Sequence, residues 1–263
     1  MMRFPHFMPK LITGVWAAPE TPRLFDGKLD EPAFCRGIEF LLERGIQGFA
    51  INRSPLENSL APDEELARLL QLIRTSGSGK AEVICSIGAA GTHGSLSKGR
   101  LAIAAGVKAL LLPVPYFIDF EQEDMYAFCH EVARQLPAPI LLHNLPDVST
   151  GLDIWTVLAL INDLPNIIGI NDGSESLDIL GALTQTGVDA CRIAGNEMAL
   201  AGALREQVCT EQSPDLPALY PSYYSPFSNA EVSPILLDSW KAPHYSINSR
   251  NKSPRFRLPG ALN

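Results

Sequence analysis

The sequence predicts an α/β fold, a (β/α)8 barrel of the TIM type that is incomplete or irregular after its seventh strand. Three observations carry that expectation. Short apolar runs alternate seven times with longer segments of helical periodicity, the runs are apolar throughout, and polar residues stand at the ends of several of them. Strands buried on both faces read as continuous apolar runs, so the pattern predicts parallel strands covered by helices. An open doubly wound sheet would share these features. No G-x-G-x-x-G follows the first run, however, and polar residues end many different strands, which favours the closed barrel.

The elements follow in order. L-I-T-G-V-W-A-A (11–18) is the first strand, followed by a helix over Pro32 to Arg44 with Phe34, Ile38, Leu41 and Leu42 on one side. G-F-A-I-N (48–52) is the second strand. Its helix opens at P-D-E-E (62–65), where an early proline and first-turn acids suit a helix start. A-E-V-I-C-S-I-G (81–88) precedes a helix ending near Gly106, and A-L-L-L-P-V-P (109–115) precedes one from about Glu121 to Leu136. P-I-L-L-H-N (139–144), I-I-G-I-N (167–171) and A-C-R-I-A-G-N (190–196) complete the seven strands.

Composition narrows the function classes. The chain has 263 residues, 46% hydrophobic and 19% charged, enough for a sizeable core. Its formal net charge of -8 argues against nucleic acid, since counterion release needs clustered Lys and Arg. Five separated cysteines with no C-x-x-C predict buried thiols and neither a zinc site nor a disulfide framework. The apolar run at Leu11–Ala18 is short and broken by Thr13 and Gly14, so no signal peptide or membrane span is expected and a cytoplasmic location is.

The strand ends collect Asn52 with Arg53 and Ser54, then Ser86, Tyr116, His143 with Asn144, Asn171 with Asp172, and Asn196 with Glu197. In a barrel such ends ring one mouth, whereas singly each reads as an ordinary loop or helix cap. A metal-dependent reaction would draw on His143, Asp172 and Glu197 alone, so no metal or other cofactor is expected.

From about Leu11 to Cys209 the chain resembles the dihydrodipicolinate synthase and N-acetylneuraminate lyase family of pyruvate-type class I aldolases. The pieces are D-G-K-L-D (26–30), N-R-S-P-L-E-N-S (52–59), P-Y-F (115–117), H-N-L-P (143–146) with Thr150 and Gly151, I-I-G-I-N-D (167–172) and A-G-N-E (194–197). The family has N-G-T-T-G-E-S, Y-N-x-P, I-x-G-I-K-D/E and G-D-D or G-N-D at the corresponding places. The resemblance implies aldol addition or cleavage of a 2-oxo acid such as pyruvate, and a homo-oligomer.

It also implies roles, which the residues here meet unevenly. A lysine ending strand six forms the family's Schiff base, and Asn171 occupies that position. An amide nitrogen has a delocalised lone pair and forms no imine, so Schiff-base chemistry is expected to be lost. His143 stands for the proton-relaying tyrosine of strand five, and imidazole can move protons near neutral pH. Tyr116 matches a second relay tyrosine. The carboxylate-holding T-T pair has become Ser54 and Pro55, which keeps one hydroxyl and loses a backbone donor; Arg53 beside them could clamp an anion. Asn52, Gly195 and Asn196 complete the expected substrate contacts. The resulting expectation is a lyase with impaired chemistry, the alternative being a pseudoenzyme or binding protein that holds a small carboxylate.

Residues 1–209 are expected to form seven barrel units and 210–263 an irregular Pro/Ser-rich tail. The tail holds eight of the 21 prolines and includes Y-P-S-Y-Y-S-P (220–226). In a neighbouring reading frame T-E-Q-S-P-D-L-P-A (210–218) is compatible with D-G-A-V-S-G-L-A-C, similar to the family's eighth strand G-x-[VI]-S-G-x-A. The expectation is therefore a frame-shifted tail, which sequencing of the gene across the Cys209 codon tests. An unclosed barrel exposes strand edges, so poor solubility or a covering partner chain is expected with it.

Overall fold

The structure is a computed structural model in which residues 12, 16–52, 62–77, 79, 81–116 and 118–209 are described. Seven strands form one parallel sheet in sequence order: β1 Trp16–Ala17, β2 Gly48–Ile51, β3 Glu82–Ser86, β4 Ala109–Pro113, β5 Ile140–Asn144, β6 Ile167–Asp172 and β7 Cys191–Ala194. The helices between and after them are α1 Glu31–Glu43, α2 Asp63–Ser76, α3 Thr92–Ala104, α4 Gln122–Gln135, α5 Ile154–Asp163, α6 Asp178–Thr186 and α7 Glu197–Arg205. Strands that pair only with their chain neighbours, each returned by a helix, give the curled wall of a TIM barrel with seven units. The tail at 210–263 lies outside the described residues.

Helices α1 and α5 begin where the sequence supplies acceptors for their free amides. Asp30 accepts from Ala33 N at 3.0 Å at the start of α1, and Asp153 accepts from Thr156 N at 2.6 Å at the start of α5. Asp63, Glu64 and Glu65 fill the first turn of α2 and suit the positive end of its dipole. At the far end of α4, the buried Asn166 donates to the carbonyls of Ala133 at 2.9 Å and Leu136 at 3.0 Å, beside the backbone bonds that these carbonyls accept from Leu136 N and Ala138 N.

Alternation along the strands divides the apolar residues into two cores. Phe49, Ile51, Cys85, Leu110, Leu112, Ile140, Leu142 and Ile170 pack outward against the helices. Ile12, Trp16, Ala50, Ile84, Ala109, Leu111, Leu141, Ile168, Cys191 and Ile193 fill the inside. Trp16 lies against Gly48 so closely that a Cβ there would stand 2.5 Å from its ring. Trp16→Ala is expected to cost about 3–5 kcal/mol through the cavity left inside the sheet, read from urea unfolding midpoints.

β6 breaks the alternation once. The register against β5 jumps from Ile140↔Ile167 to Leu141↔Gly169, leaving Ile168 as an extra residue, a β-bulge. Gly169 within it has φ of +150°, and a Cβ there would lie 2.0 Å from the Cys191 carbonyl oxygen. Ile167 therefore faces the helices while Asn171, four residues on, faces inward. Strict alternation would have put both on one side.

All five cysteines are free thiols, as their spacing predicts, and four are buried. Burial pushes the Cys85 and Cys129 thiols up to about 12, so they act as core residues rather than nucleophiles. Among the described residues no helix is long and apolar enough to cross a membrane.

Candidate functional site at the inner face of the strand ends

The site is built where the inner alternation runs out of apolar residues. Beyond Ala50 comes Asn52, beyond Ile84 Ser86, beyond Leu141 His143, and beyond the bulge Asn171. All four are buried, and His143, Asn171 and Ser86 are completely so. His143 and Asn171 are direct register partners, flanked by Pro113 on β4 and Ile193 on β7. Asn52 adopts φ of +56°, a left-handed conformation that Asn tolerates, and its Nδ2 donates to Ser86 O at 2.9 Å. Tyr116, just after β4, is also buried.

Asn171 has an unusual position. Neither its Oδ1 nor its Nδ2 finds a hydrogen-bond partner among the described residues, although the side chain is fully shielded from solvent. An unmet buried polar group costs about 1–3 kcal/mol, so such a residue is kept at a loss to stability. Gly195 makes room for it: a Cβ at 195 would stand 2.2 Å from Asn171 Oδ1. The Gly195 amide donates to Asp172 O at 2.7 Å, which fixes that approach.

Other strand-end residues do not join this group, which corrects the expectation that all of them ring one mouth. Asn144 and Asp172 follow the inward residues directly and so face the opposite side of the sheet. There Asn144 Nδ2 donates to Asp172 Oδ1 at 2.8 Å, and Asn144 Oδ1 accepts from Leu152 N at 2.9 Å. Asp172 Oδ1 also accepts from Ser174 N at 3.1 Å. These residues anchor loops. Asn196 does similar work, donating to Gly173 O at 3.1 Å and accepting from Met198 N at 2.8 Å at the start of α7. Arg53, Ser54 and Pro55 lie outside the described residues. The described residues hold no cluster of three potential metal ligands, and His143 and Asp172 point to opposite faces.

Burial raises the pKa of Asp172 above the ordinary carboxylate value, partly offset by the hydrogen bonds from Asn144 and Ser174. A raised folded-state pKa means the fold favours the protonated acid. Its stabilising contribution is complete below the unfolded value and is lost as pH rises through the folded one. Asp172→Asn abolishes this dependence. The stability difference between wild type and variant is expected to shift against wild type as pH climbs from about 4 toward neutrality, measured by denaturant titration at a series of pH values.

The family model for the dihydrodipicolinate synthetase family matches residues 11–205. The chain belongs to that family. The 4-hydroxy-tetrahydrodipicolinate synthase of Thermus thermophilus is 32% identical over 160 residues, which cover 60% of this chain and 53% of that relative. The chain thus spans about half the length of this curated relative. Among solved structures, the sialic acid aldolase of Ruminococcus gnavus superposes with a TM-score of 0.68 at 19% identity, covering 80% of this chain and 68% of the other, a likeness of fold. The dihydrodipicolinate synthase of Acinetobacter baumannii, solved with pyruvate, gives a TM-score of 0.65 at 25% identity over 70% of this chain and 64% of that one. The seven strand and helix units expected from the sequence are present, in a fold shared with these solved structures.

Proposed function

We propose that this chain is a divergent member of the family that keeps a pocket for a small 2-oxo acid or related carboxylate and has lost Schiff-base chemistry. What supports the reading is Asn171, a register partner of His143 on the inner face; the resemblance of I-I-G-I-N-D to the family motif implies a lysine at this position. The lysines among the described residues do not replace it. Lys28 pairs with Asp26 at 2.8 Å in the loop before α1, Lys98 on α3 with Asp63 at 3.3 Å, and Lys108 just before β4 with Glu82. None of the three belongs to an inward strand position. Incubation with pyruvate and borohydride is expected to leave the protein unmodified by mass, while calorimetry detects saturable binding. A covalent adduct would overturn the loss of imine chemistry.

A second reading keeps a lyase reaction without an imine, because His143 and Asn171 are register neighbours. There the imidazole would move the proton and the Asn171 amide would donate to the carbonyl oxygen. Release of pyruvate from a 4-hydroxy-2-oxo acid, abolished by His143→Phe, supports it. No release favours the binding protein.

A further inference from the structure

We propose that the ligand matched to this pocket is a 2-hydroxy acid rather than a 2-oxo acid. The inference rests on the reading of the inner face as a non-covalent small-carboxylate site and names the member of that class it prefers. Asn171 is completely buried, and both ends of its amide lack hydrogen-bond partners among the described residues. Exchanging the assigned oxygen and nitrogen changes nothing, since the group always offers one acceptor and one NH2 donor.

A ketone only accepts hydrogen bonds. Bound at Asn171 it would satisfy the NH2 group and leave the amide oxygen as bare as before. A hydroxyl can donate to that oxygen, and the adjoining carboxylate oxygen can accept from the NH2. A 2-hydroxy acid carries this donor and acceptor on neighbouring carbons, complementary to the two ends of a carboxamide.

The protein itself has little means of quenching the oxygen from β7. Position 195 is glycine, and any Cβ there would stand 2.2 Å from Oδ1, so no side chain can reach it from that position. A buried acceptor left unmatched lowers affinity on the order of tenfold or more relative to a ligand that matches it. A lysine at 171 would reverse the preference, because an ammonium only donates and a neutral amine attacks the ketone.

Calorimetry of the full chain with L-lactate, D-lactate and pyruvate tests the assignment. At least one lactate enantiomer is expected to bind about tenfold or more tightly than pyruvate. In Asn171→Leu, which removes the amide at similar volume, the two are expected to differ by less than about threefold; circular dichroism checks that this variant folds, and the wild-type ratio decides the matter without it. Pyruvate binding as tightly as lactate or more tightly overturns the preference while leaving the carboxylate pocket standing. Silence with all three ligands removes the pocket reading and this inference together.

Discussion

Replacing Gly169 by alanine is expected to destabilise the fold by about 4 kcal/mol. Two independent costs fall on one methyl group. The backbone is held at φ of +150°, which L-residues rarely adopt, and the new Cβ would meet the Cys191 carbonyl oxygen at 2.0 Å. Left-handed strain at a non-glycine residue costs about 1–3 kcal/mol. The overlap with backbone in a close-packed interior adds about as much again, because no flexible side chain is there to yield. The sum, on the order of 4 kcal/mol, takes much of the 5–15 kcal/mol by which proteins are ordinarily stable. A urea unfolding midpoint well below that of wild type, or accumulation of the variant in the insoluble fraction, checks it. A variant as stable as wild type would mean that β6 does not make the close approach to β7 described here.

Replacing Asn171 by lysine is expected to create covalent capture of pyruvate where wild type shows none. The amine would enter a fully buried position beside His143, where desolvation disfavours the ammonium and leaves a neutral nucleophile. Borohydride reduction would then fix an adduct whose position peptide mapping assigns to residue 171. Folded variant protein that gives no adduct would show that the inner face no longer admits the 2-oxo acid in a reactive pose. That result would place the divergence beyond a single residue.

Much of the fold was legible because parallel strands covered on both faces cannot avoid continuous apolar runs, such as Ala109–Pro113 and Ile140–Asn144. The family motifs then located His143 and Asn171, and the structure makes them neighbours. Which strand-end residues face inward was less legible. His143 and Asn144 are equally polar and adjacent, and only the register tells that the first faces the inner core and the second binds a loop. The bulge was harder still: one extra residue leaves no mark on composition, and the isolated glycine inside an apolar run is its sole sequence signal. Asn166 reads as an ordinary pre-strand polar residue until the end of α4 is seen resting on it.

The bonds made by Asn144, Asp172 and Asn196 belong to a longer series along the rim. Phe120 N donates to Thr150 Oγ1 at 3.1 Å and Gln122 Nε2 to Gly151 O at 2.9 Å, which joins the loop after β4 to the loop after β5. Asn144 and Asp172 join the loop after β5 to the one after β6, and Asn196 joins that one to the start of α7. Four successive connections are thus sewn in series by side-chain hydrogen bonds, like staves under a hoop. A loop of this arc that swings must first break the side-chain bonds that tie it to the next.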